Sequence, residues 1–258
     1  MPLLESRDVP IYYETKGTGD AIVFAHGAGG NAAIWFNQFA HFSDRYKVIA
    51  FDHRSFGRTP VPERPLVVQD FRDDLLSLMD ALDVETAHLV GQSMGGFTCL
   101  RTTLDAPDRV KTLTLSATSG GIYNPTPSDA VRNLTSSDNV EGVKATMSAL
   151  TKTQPALMQL YESINNFNIH FSWANLASLL GADGVVQHEQ LSSISTSTLF
   201  IAGEEDPLFP PDTLRSFVPH FGQAEIEVVA NAGHSPYFEQ PDVFNRILEN
   251  HLEGASHG

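Results

Sequence analysis

The chain has 258 residues, a formal net charge of -15 and one cysteine. The charge excludes a nucleic-acid surface, which needs clustered cations, and disfavours polyanionic partners; the single cysteine excludes an internal disulfide. With 41% hydrophobic and 18% charged residues, the composition is that of one globular domain large enough to carry an insertion.

In chain order, residues 2–15 read as a strand pair, with 11–15 the clearer half. Apolar runs at 21–25 and 46–51 read as buried strands. Between them, 31–42 reads as a helix with Trp35, Phe36 and Phe39 facing the core. Residues 66–82 carry Phe71, Leu75, Leu78, Met79 and Leu82 at helical spacing. A strand at 87–90 leads into a turn and a helix-like stretch, 97–104. A further strand follows at 110–116. From 118 to 196 no strand is evident; helical stretches near 139–152, 155–164 and 168–180 read as an insertion. Its Phe167, Phe171, Trp173, Leu176 and Leu179 either fasten it to the body or line a pocket. Strands return at 197–202 and 224–229, and a helix at 241–252 presents Phe244, Ile247 and Leu248 on one face. Strands alternating with helices imply a parallel sheet, with ligands beyond the strands' carboxyl ends.

The chemistry is carried by Gly91-Gln92-Ser93-Met94-Gly95-Gly96 at the strand-to-helix turn. A serine on such a turn needs neighbours without bulk, and the turn lifts its hydroxyl clear of the sheet. The following helix turns its free N–H groups toward the same place. A nucleophilic serine needs a base, and the base an acid that orients it. Asp206 lies three residues after Gly203, at the end of the 197–202 strand. His234 lies in a Gly/Pro-punctuated loop after the 224–229 strand. Glu204 and Glu205 flank the acid, but register selects Asp206. Cys99, among Phe97 and Leu100, reads as a buried, inert thiol.

These motifs resemble the α/β-hydrolase fold family over nearly the whole chain. His26-Gly27-Ala28-Gly29-Gly30 is similar to the family's oxyanion loop. Residues 51–59, Phe-Asp-His-Arg-Ser-Phe-Gly-Arg-Thr, are similar to its D-x-R-G-x-G-x-S turn, with Ser55 where glycine is usual. Residues 203–210 and 233–241 match its acid and histidine loops. The resemblance implies a mostly parallel eight-stranded sheet flanked by helices. The core is expected at 1–117 and 197–258, with a helical cap at 118–196 inserted after the sixth strand. It implies a Ser93, Asp206, His234 triad and backbone oxyanion donors at Ala28 and Met94. A pocket is expected around Phe171, Trp173, Tyr123 and Leu208.

The expected activity is hydrolysis of a carboxylic ester or lactone with a modest apolar or aromatic portion. Two alternatives stay open: carbon–carbon hydrolysis of the meta-cleavage-product type, and a ligand receptor that keeps the triad. The former usually calls for a cap arginine and an asparagine before the nucleophile. Here Gln92 stands at that position, and the cap's cations are Arg132, Lys144 and Lys152. Metal-ligand spacing is lacking, and Gly27 to Gly30 lack the register of a phosphate cradle. No metal or other cofactor is expected. The expected partner is a small-molecule substrate, with no nucleic acid and no membrane, in a cytoplasmic monomer or homodimer. The opening residues lack a basic-then-apolar leader, and no apolar run approaches the ~20 residues of a membrane span.

Overall fold

The structure, a computed structural model, describes residues 2–6, 8–129, 144–171 and 184–255. Its centre is an eight-stranded sheet in the order β1-β2-β4-β3-β5-β6-β7-β8. β1 (Leu3–Ser6) and β2 (Val9–Lys16) form the antiparallel edge. β3 (Ala21–Ala25), β4 (Lys47–Phe51), β5 (Ala87–Gln92), β6 (Val110–Ser116), β7 (Ser197–Gly203) and β8 (Ala224–Val229) run parallel. After β3 the chain steps outward to β4, then returns past β3 to β5. That reversal opens a crevice at the carboxyl ends of β3 and β5, where ligands of open α/β sheets bind.

Both faces of the sheet are buried, which explains the unbroken apolar runs of β3 and β4. Side chains alternate across it. Val23, Ile49, Leu89, Leu113 and Phe200 face one core with Leu75, Leu78 and Met79 of α2 (Val68–Ala81). Ile22, Phe24, Val48, Val90 and Ile201 face the other. That second core is closed by Trp35, by Phe42 of α1 (Phe36–Phe42), and by Phe244, Leu248 and Leu252 of the last helix, Pro241–Ala255.

One helical assignment changes. Asn31 caps a 3₁₀ turn, Ala32–Trp35, that leads into α1. Trp35, Phe39 and Phe42 pack inward, at positions i, i+4 and i+7. Phe36 therefore sits about 100° round the helix from Trp35; it is 40% exposed and touches Phe238 edge-on.

Between β6 and β7 lie α4 (Ala149–Lys152), α5 (Pro155–Asn165) and α6 (His188–Leu191). Residues 139–143 of the helical stretch expected near 139–152 lie outside the described residues; the described part is broken at 146–148. Ser148 is extended, and its hydroxyl caps the Thr151 N–H to start α4. Phe167 is 69% exposed, while the packed side of this segment carries Tyr161 and Ile164. The two ends of the excursion are joined by a parallel bridge, Ile122 with Val186, inside a stretch expected to lack strands. Trp173, Leu176, Leu179 and Arg132 lie outside the described residues. No helix among the described residues is long and apolar enough to cross a membrane.

Candidate active site

The end of β5 forces a sharp turn. Ser93 has φ +49° and ψ -116°, a left-handed backbone that costs a non-glycine residue about 1–3 kcal/mol. The surroundings hold it there. The Ser93 N–H donates to the Ser116 carbonyl at 3.0 Å. The Ser93 carbonyl accepts from the Gly96 N–H at 3.0 Å and the Thr118 hydroxyl at 2.6 Å. Backbone crowding explains the flanking glycines: a Cβ on Gly91 would lie 2.5 Å from the Gly95 carbonyl oxygen, and one on Gly95 only 2.1 Å from that of Ala25. The helix α3 (Met94–Asp105) starts at once, earlier than residue 97, so the Met94 N–H belongs to its first, intrahelically unpaired turn.

The loop after the neighbouring strand β3 is shaped by His26. Its Nδ1 lies 2.7 Å from the Gly27 carbonyl, and its Nε2 accepts the His53 N–H at 3.0 Å. That pattern needs a neutral ring protonated at Nδ1. Burial supplies the same bias, pushing the His26 pKa down to about 4. Gly30 donates back to the Gly27 carbonyl at 3.0 Å, closing a tight turn around Ala28.

The 51–59 turn braces this loop. The buried Asp52 carboxylate accepts from the N–H groups of Ala32 (2.6 Å) and Arg58 (2.7 Å). Fully buried Arg54 pairs with Asp74 and Asp8. Ser55 keeps the backbone that glycine would favour: φ is +73°, and its buried hydroxyl lacks a hydrogen-bond partner among the described residues.

The acid and histidine loops converge from β7 and β8. The His234 Nδ1 lies 3.0 Å from Asp206 Oδ2. Asp206 Oδ1 accepts from the N–H groups of Leu208 (2.8 Å) and Phe209 (3.2 Å), which fixes the carboxylate's rotation. The flanking acids do other work: Glu204 accepts from the Asn231 N–H and Glu205 from the Ala149 N–H. The His234 backbone is held on both sides. Its N–H donates to the Thr146 carbonyl at 2.9 Å, and its carbonyl accepts from Gln92 Nε2 at 2.9 Å. Gln92, the last residue of β5 and the neighbour of Ser93, thus ties the histidine loop to the turn.

Sequence reasoning missed several of these anchors. Glu239 was visible in the histidine-loop motif without a role. Its buried carboxylate gathers the N–H groups of Gly233, Ser235 and Ser148 at 2.8–3.1 Å. Phe209 lies face to face with the His234 ring at 5.9 Å, and no sequence pattern announced it. In the sequence, Gln92 stands out only as the residue where asparagine would precede the nucleophile.

Ala28, Met94 and Phe171 meet in one small apolar cluster with Phe56, Leu66 and Phe71. Phe171 stacks on Phe56 at 4.8 Å. Leu208 is buried beside Asp206 through its backbone. Tyr123 is 48% exposed. Its ring meets His188, which packs at a tilt against His220 with centroids 3.9 Å apart, so it lies on the surface of the neck that Ile122 and Val186 form. Cys99 is wholly buried, and burial pushes its thiol pKa far up, leaving it without thiolate reactivity.

Residues 20–135 match the family model described as the alpha/beta hydrolase fold. A putative carbamate hydrolase, RutD, of Azorhizobium caulinodans is 29% identical over 96% of this chain and 97% of its own length. A 2-hydroxy-6-oxo-6-phenylhexa-2,4-dienoate hydrolase of Comamonas testosteroni is 28% identical over 95% of this chain and 92% of its own. Among solved structures, Est816, described as an N-acyl homoserine lactone degrading enzyme, superposes with a TM-score of 0.83 at 26% identity, covering 96% of this chain and 99% of its own. With the strand order and the loops at the carboxyl ends of β3, β5, β7 and β8, these likenesses identify the chain as an enzyme of the α/β-hydrolase fold.

Proposed function

We propose that the chain is a serine hydrolase that opens a carboxylic ester or lactone through an acyl-enzyme on Ser93. One observation carries the reading: the His234–Asp206 contact is tied by Gln92 to a serine held at positive φ. Because Nδ1 of His234 faces Asp206, Nε2 is the nitrogen that takes the Ser93 proton as Oγ attacks the carbonyl. Asp206 holds the ring's tautomer and stabilises its cation. The Ala28 and Met94 N–H groups receive the oxyanion. His234 returns the proton to the departing alkoxide, which stays tethered to the acyl group if the substrate is a lactone. Water, deprotonated by His234, then releases the carboxylic acid. The chemistry calls for no metal or other cofactor.

The substrate's acyl portion is small to medium, apolar or aromatic, and lies under a cap formed by residues 118–196. Support comes from the apolar cluster around Ala28 and Met94 and from the net charge of -15, which disfavours anions. The relative of Comamonas testosteroni favours a second reading, carbon–carbon hydrolysis of a dienoate. Against it, two cap cations are already engaged: Lys144 pairs with Glu162, and Lys152 donates to the Ala145 carbonyl. A fluorophosphonate should label Ser93 in peptide mass mapping, and Ser93→Ala should lose turnover. Esters, lactones, dienoates and carbamates ranked by kcat/KM then choose the bond. An adduct on another residue, or an active alanine variant, would overturn the mechanism; a dienoate at the top would overturn the substrate class.

A further inference from the structure

Among the described residues, a buried side chain of the insertion, Asn168, hydrogen-bonds the loop after β3. Its Nδ2 donates to the Gly30 carbonyl at 3.1 Å. Its Oδ1 accepts from the Gly57 N–H at 2.9 Å and from Asn31 Nδ2 at 3.4 Å. Asn31 Nδ2 also donates to the Ile164 carbonyl at 2.9 Å, while its Oδ1 caps the Ala33 N–H at 3.1 Å. Two asparagines, one from each body of chain, thus stitch the end of α5 to the loop that follows β3 and to the 51–59 turn.

The geometry points to Asn168 as a positioning residue for the Ala28 N–H, an inference that rests on the oxyanion role proposed above. A trans peptide is planar, so the Ala28 N–H points opposite to the Gly27 carbonyl. That carbonyl is held by His26 Nδ1 and by the Gly30 N–H. Gly30 is in turn held through its own carbonyl by Asn168. Releasing Asn168 leaves a glycine-rich turn, with the backbone freedom glycine confers, free to rotate the one peptide plane whose direction matters. An oxyanion donor acts only when aimed at the developing charge, so the loss falls on the transition state and spares ground-state binding.

The test uses p-nitrophenyl acetate, whose acetyl group is too small to depend on pocket fit, and a trifluoromethyl ketone as a mimic of the tetrahedral intermediate. Losing an oxyanion donor outright costs about 10²–10³-fold in kcat, so a misaimed one should cost roughly 10–100-fold. Asn168→Ala should lower kcat by that factor with KM within about twofold, and should raise the ketone's Ki in proportion. Asn168→Asp has the same shape and keeps an acceptor for Gly57, but sets a carboxylate oxygen against the Gly30 carbonyl. It should show the same pattern should the alanine variant fail to fold. A lowered Tm with kcat and Ki unchanged in either folded variant would make Asn168 a fastening of the insertion and nothing more, overturning the proposal. Ser93→Ala is measured alongside. If it keeps wild-type turnover, the underlying mechanism is wrong and this inference falls with it, a result distinct from intact Ser93 dependence with an unaffected Asn168 variant.

Discussion

Acid should destabilise this protein well above the pH at which its surface carboxylates titrate, because several histidines are buried neutral. Burial is the leading cause for each. It pushes His26 and His88 down to about 4 from 6.5, and lowers His53 and His251 as well. A histidine that is neutral when folded takes its proton first in the unfolded chain. Its contribution is therefore complete above pH 6.5 and is lost as pH falls from 6.5 toward 4. One pKa unit is worth about 1.36 kcal/mol, so at pH 5 His26 and His88 each forfeit about 2 kcal/mol. Together that is about 4 kcal/mol, a large part of the 5–15 kcal/mol typical of a folded domain. His88 isolates the effect: it lies in β5 with its Nδ1 2.9 Å from the Thr112 hydroxyl, in the strand whose far end leads into Ser93. Urea unfolding at pH 5, 6, 7 and 8 should give His88→Asn a pH 8-to-5 loss about 2 kcal/mol smaller than the wild type's. Other titrations cancel in that difference. Equal losses in the two proteins would refute the argument.

Asp206→Asn should reduce kcat/KM for an activated ester by about 10⁴-fold, as loss of the orienting acid does in a serine protease triad, with Glu204→Gln and Glu205→Gln each near wild type. A damaging Glu205→Gln would move the acid one residue. Ser55→Gly should raise stability in urea unfolding by about 1–2 kcal/mol. It relieves a positive φ and removes an unpartnered buried hydroxyl, against a smaller gain of unfolded-chain entropy; a destabilised variant would mean that the side chain's packing outweighs both.

The sheet was legible because its signals are local: apolar runs of strand length, turn residues between them and helical spacing elsewhere. The pairing of Asp206 with His234 was legible because register from Gly203 separates three adjacent acids. What escaped the sequence is long-range and often main-chain. The Thr146 carbonyl that meets His234, the Ser148 N–H that meets Glu239 and the Gly30 carbonyl that meets Asn168 are groups every residue carries, so no side-chain pattern marks them. Phe36 was misassigned for a different reason. Three aromatics in five residues cannot all face one side of a helix, and only the packed helix shows that Phe42 completes the inward row with Trp35 and Phe39. Ser55 shows a third limit: its backbone stays left-handed because Asp52 and its partners hold the turn, which the residue's own preference opposes.

On the mechanism proposed above, the insertion would join two jobs, fit to substrate and support of the chemistry. Its 146–149 stretch grips the histidine loop through Thr146 and Ser148 and the acid loop through Ala149 and Glu205. Asn168 grips the oxyanion loop. Three residues on, the Phe171 ring adds apolar surface, stacked on Phe56 and packed toward Ala28 and Met94. The two side chains should therefore separate. Phe171→Ala removes a wall, so it should shift the ratio of kcat/KM between a short and a bulky aromatic ester by about 10–200-fold per methylene-scale change in fit. It should leave p-nitrophenyl acetate nearly unchanged, because every donor and base keeps its hydrogen bonds. Asn168→Ala should do the reverse, slowing acetate and bulky ester alike and preserving their ratio. Steady-state kinetics of both variants on the same two esters decides the matter. If Phe171→Ala slows both esters equally, the apolar cluster supports the oxyanion loop in place of shaping a pocket, and the wall that selects the acyl group lies elsewhere in the protein.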